Sequence, residues 1–260
     1  MTEQQIIDKL RDDEHYYGKF GKKYFSYSNI GTLIRKPLKF HDTIENNVNF
    51  VLGGYFHTSI LEPNKLEKFK IIKTSSRNTN VYKEESNGDI CVLEKEAEML
   101  QVLKEKVLEN DHLNSLIIGD NIEYEVPNIG KIEDRWFKCK ADVLNHNEKT
   151  IIDLKTTSKE IDDFKWSAKD FYYNSQAYIY SKLFGYDFVF VVVKKPTLKQ
   201  MQEAKNMNDL KKIIDIGYFD CSDLFLSDGL DNIRVALENY KLYYETPGFK
   251  AKNFFYNETL

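Results

Sequence analysis

The stretch TIIDLKTTSK, residues 150–159, decides how this chain is read. Ile151 and Ile152 are β-branched and belong in a buried strand. Asp153 and Lys155 follow at once. Side chains two apart on a strand share a face, so Asp153 and Lys155 lie together and Leu154 points the other way. An unpartnered acid and base inside a sheet would be costly. Asp142, in CKADVLN (139–145), supplies a partner. The short turn NHNEK (145–149) predicts a hairpin that brings Asp142 toward Asp153. Two carboxylates held close repel one another unless a cation sits between them. Hard oxygen ligands of this kind suit Mg²⁺, with Mn²⁺ as a substitute. Lys155 beside such an ion would orient a water or stabilise charge building on a phosphate. Alone, Asp-x-Lys is common on solvated strand faces. The Ile-Ile run before it and the aromatic segment after it place this one in a sheet interior.

The bulk composition narrows the classes. A chain of 260 residues, 42% apolar with 17 Tyr and 17 Phe, can build a core and is not globally disordered. Its net charge of −4 argues against a dedicated electrostatic nucleic-acid binder, which is usually basic. Contact with nucleic acid must then come through a local patch or through metal ions. Cys91, Cys139 and Cys221 are widely spaced without a CxxC, so no zinc site or disulfide framework is expected, and a reducing compartment, the cytoplasm, fits. The N-terminus, MTEQQIIDKLRDDEHYY, is too polar for a signal peptide. The longest apolar run, Phe188–Val193, is far too short to span a membrane.

No solenoid repeat is visible, and a single domain over 1–260 is expected. Residues 1–25 read as a polar arm or short helix. SYSNIGTLI (26–34) reads as a serine-capped helix ended by RKP, within a mainly helical part over 26–118. Residues 44–61 read as a helix that Pro63 stops, and 91–110 show helical spacing of Leu93, Ala97, Leu100, Leu103 and Val107. A sheet core is expected over 119–195. NIEYEVP, WFKCKADVLN, KTIIDLKTTS and YDFVFVVVKK read as strands, with turns at NIGK (128–131) and NHNEK. DDFKWSAKDFYYNSQAYIYSKLFG (162–185) reads as a crossing helix with Gly185 as its stop. Residues 196–260 are expected to be helical, with an amphipathic helix over 227–245 capped by Ser227 or Asp228. Helices followed by strands with a crossover predict an α/β fold with a small mixed central sheet flanked by helices.

The motifs taken together resemble a known family. Ala141-Asp142 followed by Asp153-Leu154-Lys155 is similar to the PD-(D/E)xK nuclease signature, with Ala for the usual Pro. Gln176–Tyr180 (QAYIY) resembles the QxxxY motif of its RecB-like branch. GGYFHTSILEP (53–63) and YFSYSNIGTLIRKPLKF (24–40) resemble segments of RecE (exonuclease VIII)- and lambda-type phage exonucleases. The resemblance runs from about residue 24 to about 195 and implies a restriction-endonuclease-like core.

It also implies a site. Asp142, Asp153 and the Leu154 carbonyl would hold the metal, with Lys155 catalytic and His57 as a neutral imidazole ligand or a partner of bound water. A strand glutamate completes the set. Glu123 and Glu125 share one strand face, and the E-x-P pattern ending at Pro127 favours Glu125. Gln176 and Tyr180, four apart on one helical face, would bind phosphate or the terminal nucleotide and support Lys155. Glu62 reads as a helix-end residue. Trp166, Tyr172, Tyr173 and Tyr178 read as packing or as rings for unpaired bases. Ser28, Arg35, Lys36 and Lys39, and the basic stretch 193–212, are weaker candidates for the DNA backbone. An iron–sulfur cluster, which needs four cysteines in this family, is not expected. The implied activity is a Mg²⁺-dependent exonuclease acting at duplex DNA ends, 5′ to 3′, in a phage or prophage. Its partners would be DNA, a single-strand annealing protein and further copies of itself in a ring, with no membrane. An endonuclease or resolvase of the same fold, or a non-catalytic DNA-binding protein on this scaffold, are the alternatives.

Overall fold

A computed structural model describes residues 1–42 and 46–249. In chain order it contains α1 (Glu3–Leu10), α2 (Asp13–Tyr17), α3 (Tyr27–Arg35), α4 (Val48–Leu61), β1 (Ile71–Ile72), α5 (Asn80–Ser86), β2 (Val92–Leu93), α6 (Glu94–Leu108) and α7 (Asp111–Ile117). The main sheet follows with β3 (Ile122–Ile132), β4 (Arg135–Asn145) and β5 (Thr150–Thr157), then α8 (Phe164–Asp170), α9 (Tyr173–Phe184) and β6 (Asp187–Lys194). The chain continues through α10 (Leu198–Glu203), α11 (Met207–Lys212), β7 (Ile216–Asp220) and α12 (Asp223–Tyr240).

The five-stranded sheet has the order β3-β4-β5-β6-β7. Only β5 and β6 are parallel. Parallel neighbours need a crossover, and α8 and α9 provide it. β6 is buried on both faces, which explains its unbroken apolar run. Val189, Val191 and Val193 pack into the layer of α4, α6 and α7, while Phe188, Phe190 and Val192 pack toward α8 and α9. β5 alternates the same way, Ile152 and Leu154 on the first side and Ile151 on the second.

Local signals set several boundaries. Ser26 forms a capping box with Asn29 at the start of α3, and Pro37 follows its end. Asn47 caps α4, and Pro63 lies just beyond its end. The expected helix start at 44–45 lies outside the described residues. Gly185 closes α9 with φ 72, a left-handed conformation that suits glycine.

Other expectations are corrected. The N-terminal arm is two capped helices, α1 and α2. NIGK is not a turn. β3 runs through it, and the hairpin closes at Glu133-Asp134, where Glu133 takes φ 52. The crossing helix is broken in two, because Tyr172 takes φ 56 between α8 and α9. The last helix starts earlier, capped by Ser222, with Ser227 and Asp228 inside it. The sheet does not end at 195, since β7 adds a fifth strand. The basic stretch 193–212 is largely neutralised at home. Lys194 pairs with Glu160 at 2.5 Å, and Lys211 with Glu105 at 2.6 Å and Glu109 at 2.5 Å. No helix among the described residues is long and apolar enough to cross a membrane.

One close approach locks the layer behind the site. Gly229 of α12 lies against the backbone at the start of α9, where a Cβ would sit 2.2 Å from the Asn174 carbonyl oxygen. The Ser175 hydroxyl donates to the Gly229 carbonyl at 3.1 Å.

Candidate metal centre and active site

The site lies where the sheet forks. β4 and β5 pair only at Val143↔Ile152, Leu144↔Ile151 and Asn145↔Thr150. Beyond Val143 and Ile152, β4 stays with β3 and β5 stays with β6. Asp142 and Asp153 are the first residues past the last pair. The Asp142 carboxylate fills the gap, its Oδ2 accepting from the Leu154 N–H at 2.9 Å.

A switch of faces coincides with the fork. Tyr124 and Val143 are cross-strand partners that pack on the α4 side, whereas Val126 and Ala141 pack on the α9 side. Residues two apart should share a face. The intervening residues, Glu125 and Asp142, which the β3–β4 register skips, therefore carry the switch, and Glu125 records it with φ 51. A glutamate in the left-handed region is uncommon, and such strain clusters at functional sites.

α4 brings His57 to the fork. Its Nε2 lies 2.7 Å from the Leu154 carbonyl oxygen and its Nδ1 lies 3.2 Å from Asp142 Oδ2. Both neighbours are acceptors, so without a metal both ring nitrogens donate and the imidazole is charged, not neutral as expected. A cation taking a ring nitrogen would have to displace its proton. Burial opposes that charge, but Asp142 outweighs it and lifts the His57 pKa to about 9. Burial likewise opposes ionisation of Asp142, and His57 holds its pKa below the usual value. Glu125 is pushed up to about 7 by burial and then by the Asp142 charge. His57, Glu125 and Asp142 each offer a ligand atom, all within 4.8 Å of one another. Two carboxylates and the adjacent Leu154 carbonyl fit a hard divalent cation such as Mg²⁺ or Mn²⁺, and an imidazole nitrogen is accepted more readily by Mn²⁺ than by Mg²⁺.

Asp153 is not in that triad. Its carboxylate faces α9, where Gln176 Nε2 donates to Oδ1 at 2.5 Å and the Lys155 ammonium pairs with Oδ2. Asp153 is only 3% exposed. Burial raises its pKa, and Lys155 opposes the rise. The Lys155 ammonium also lies 5.1 Å from the centre of the Tyr173 ring. Tyr180, one turn beyond Gln176, packs its ring edge-on to Phe188 at 5.5 Å, and burial, with smaller contributions from Asp153 and Asp142, raises its pKa. Glu123, the rival of Glu125, is bound elsewhere, to His146 Nε2 at 2.8 Å. Arg35 donates to the Asp170 carbonyl at 2.6 Å, so it ties α3 to α8. Glu62 pairs with Lys65 just past α4.

Sequence reasoning missed one group beside the triad. Lys138 and Lys140, on the strand of Asp142, are 6% and 7% exposed. Both lie over the Tyr16 ring, at 4.0 and 4.5 Å, and Lys140 pairs with Asp13 of α2. Burial lowers the Lys138 pKa to about 8. A cleft of about 290 Å³, lined by Arg11, Asp13, Glu62, Lys65, Glu125 and Lys140, opens beside Glu125. The signal was present as Lys-x-Lys-x-Asp (138–142) and in the paired tyrosines of HYYG.

A mixed sheet that forks at Asp142, with Asp153-x-Lys155 on the next strand and Gln176 behind it, defines the PD-(D/E)xK class. The chain belongs to the family described as a PDDEXK-like domain of unknown function (DUF3799), whose model matches residues 32–245. Among solved structures, it is similar to a candidate exonuclease from Eubacterium rectale, 14% identical over 95% of this chain and 96% of that one, with a TM-score of 0.59. At that identity the likeness is one of fold. A phage-related exonuclease from Haemophilus somnus 129PT is 17% identical over 65% of this chain and 87% of that one, with a TM-score of 0.35, too low to argue from. No curated protein matches the sequence.

Proposed function

We propose that this protein is a divalent-metal-dependent deoxyribonuclease that degrades duplex DNA from its ends, 5′ to 3′, and leaves single strands for phage-type recombination. The observation that carries the reading is the convergence of His57, Glu125 and Asp142 on one point at the fork, beside the Asp153–Lys155 pair. Asp142, Glu125, His57 and the Leu154 carbonyl would hold the metal. Once bound, Mg²⁺ would lower the pKa of a water and neutralise charge on the phosphate. Lys155, oriented by Asp153 and Gln176, donates hydrogen bonds toward the phosphodiester and stabilises charge as water adds to phosphorus and the bond to the 3′ oxygen breaks. Asp153 thus serves here as the group that orients Lys155. A ring of subunits would let a chain of net charge −4 hold DNA, and an annealing protein would take up the product strand.

The test is release of nucleotides from linear duplex DNA labelled at the 5′ or the 3′ end, with Mg²⁺ or with EDTA. Early release of the 5′ label, abolished by EDTA, is expected. Cleavage of closed circular DNA would favour an endonuclease instead. The metal site has its own measurement. Asp142→Asn should weaken Mn²⁺ binding in calorimetry by at least about tenfold, since loss of mere outer-shell support costs 10–100-fold. Unchanged Mn²⁺ affinity would place the metal elsewhere.

A further inference from the structure

We infer that the junction of α8 and α9 is a stacking platform for an unpaired nucleobase at the DNA end, with Phe171 as its contact ring. The inference rests on the nuclease reading and names the form of substrate that the site takes.

Phe171 is 55% exposed and Trp166 is 59% exposed. Phe171 is also the outermost member of a run of rings. It lies 5.7 Å from Tyr173 at an interplanar angle of 31°, and Tyr173 lies 5.8 Å from the buried Phe164 at 30°. Phe171 packs on Tyr173 at a tilt and leaves more than half of its surface to solvent. Tyr173 is the ring against which the Lys155 ammonium rests. The exposed ring is therefore one ring removed from the lysine assigned to the reaction.

The junction is held rigid although it is exposed. Tyr27 donates its hydroxyl to the Phe171 carbonyl at 2.6 Å, and Arg35 donates to the Asp170 carbonyl at 2.6 Å. The Arg35 guanidinium also lies over the Tyr172 ring at 4.9 Å. Tyr172 itself sits at φ 56, next to Gly31, where a Cβ would meet its ring at 3.2 Å. A left-handed tyrosine persists only where its surroundings over-determine it. α3 thus fixes the backbone on both sides of an exposed phenylalanine, and a ring so fixed loses little freedom when it binds.

The chemistry around it fits single-stranded nucleic acid. Lys165 and Lys169 are exposed on α8 next to Trp166, with the Lys165 ammonium 5.4 Å from the Trp166 ring centre. Asp162, Asp163 and Asp170 are exposed on the same segment, so the base face rather than net charge must supply most of the binding. Cationic side chains interleaved with open aromatic rings are the general equipment for holding a strand by its phosphates and its base faces. An unpaired base stacks on Phe171 while the phosphodiester that follows it reaches Lys155.

The test uses a duplex whose unpaired 5′-terminal base is the fluorescent analogue aminopurine, titrated in EDTA so that nothing is cut. Binding to the wild-type protein should quench the fluorescence. Phe171→Ala should abolish the quench and weaken binding about tenfold, the scale of one base–aromatic stack. Phe171→Trp should restore both. The same duplex with an abasic terminus should bind wild type and Phe171→Ala equally. An undiminished quench in Phe171→Ala would overturn the inference. So would a change of particle mass in Phe171→Ala by light scattering, which would make this face a contact between copies of the chain. None of these readouts needs turnover, so a wild-type protein that releases no nucleotide with Mg²⁺ would sink the nuclease reading and leave the stacking result to stand by itself.

Discussion

Lys155→Met should lower nucleotide release by about 100- to 1,000-fold, the usual cost of removing one preorganised donor to developing charge. The side chain is placed for that role by three contacts. Its ammonium pairs with Asp153, it lies 5.1 Å from the Tyr173 ring centre, and it lies 6.0 Å from that of Phe190. The same contacts give the substitution a structural cost. Asp153 is 3% exposed, and a buried charge that loses its partner destabilises a fold by about 3–5 kcal/mol. The two effects can be separated. Asp153→Asn combined with Lys155→Met replaces the pair by neutral groups, and the amide oxygen still accepts from Gln176. The double variant should melt above Lys155→Met alone and be equally inactive. Nucleotide release at the wild-type rate in either variant would remove Lys155 from the mechanism.

The second large effect is on stability, and it is steric. Gly229→Ala should destabilise the protein by about 3 kcal/mol, the upper part of the range for overpacking. A Cβ there would lie 2.2 Å from the Asn174 carbonyl oxygen, 2.5 Å from its carbon and 3.0 Å from the Ser175 nitrogen. These are backbone atoms and no rotamer change moves them, so α12 must shift away from α9. In a chain of this size a loss of that order lowers the melting temperature by about 6–12 °C. Gln176 sits one residue past Ser175 and holds Asp153, so activity should fall with stability. An unchanged melting temperature would mean that α12 does not press on α9 as described.

Much of this fold is legible in the sequence, for a physical reason in each case. β6 announces itself because a strand buried on both faces must be almost wholly apolar, and β5 through its β-branched Ile151-Ile152 start. Ser26, Asn29, Pro63 and Gly185 mark helix ends because their caps are local. The hairpin turn was misplaced because NIGK has turn composition, yet Asn128 is tied to α9 through the Leu183 carbonyl at 2.9 Å and the strand continues. β7 is short and mostly polar or half-exposed at the sheet edge, and IGYFD carries no alternation strong enough to show it. In the site, spacing alone brings Asp142 toward Asp153. It does not show that β4 and β5 part there, or that the two carboxylates turn to different partners. Strand periodicity left Glu123 and Glu125 equivalent. What separates them is a backbone twist at Glu125 that no pattern of side chains records. Lys140 was passed over because its partner, Asp13, lies 127 residues away.

The left-handed backbone at Glu125 has a consequence for stability. A non-glycine residue held there costs on the order of 1–2 kcal/mol, and its carboxyl is ionised reluctantly at neutral pH. Glycine at this position would relieve both penalties and give back only about 0.5–1 kcal/mol in chain entropy. If Glu125 holds a metal as proposed, the backbone strain and the reluctant carboxyl are the cost of that role, and Glu125→Gly should raise the melting temperature while weakening Mn²⁺ binding.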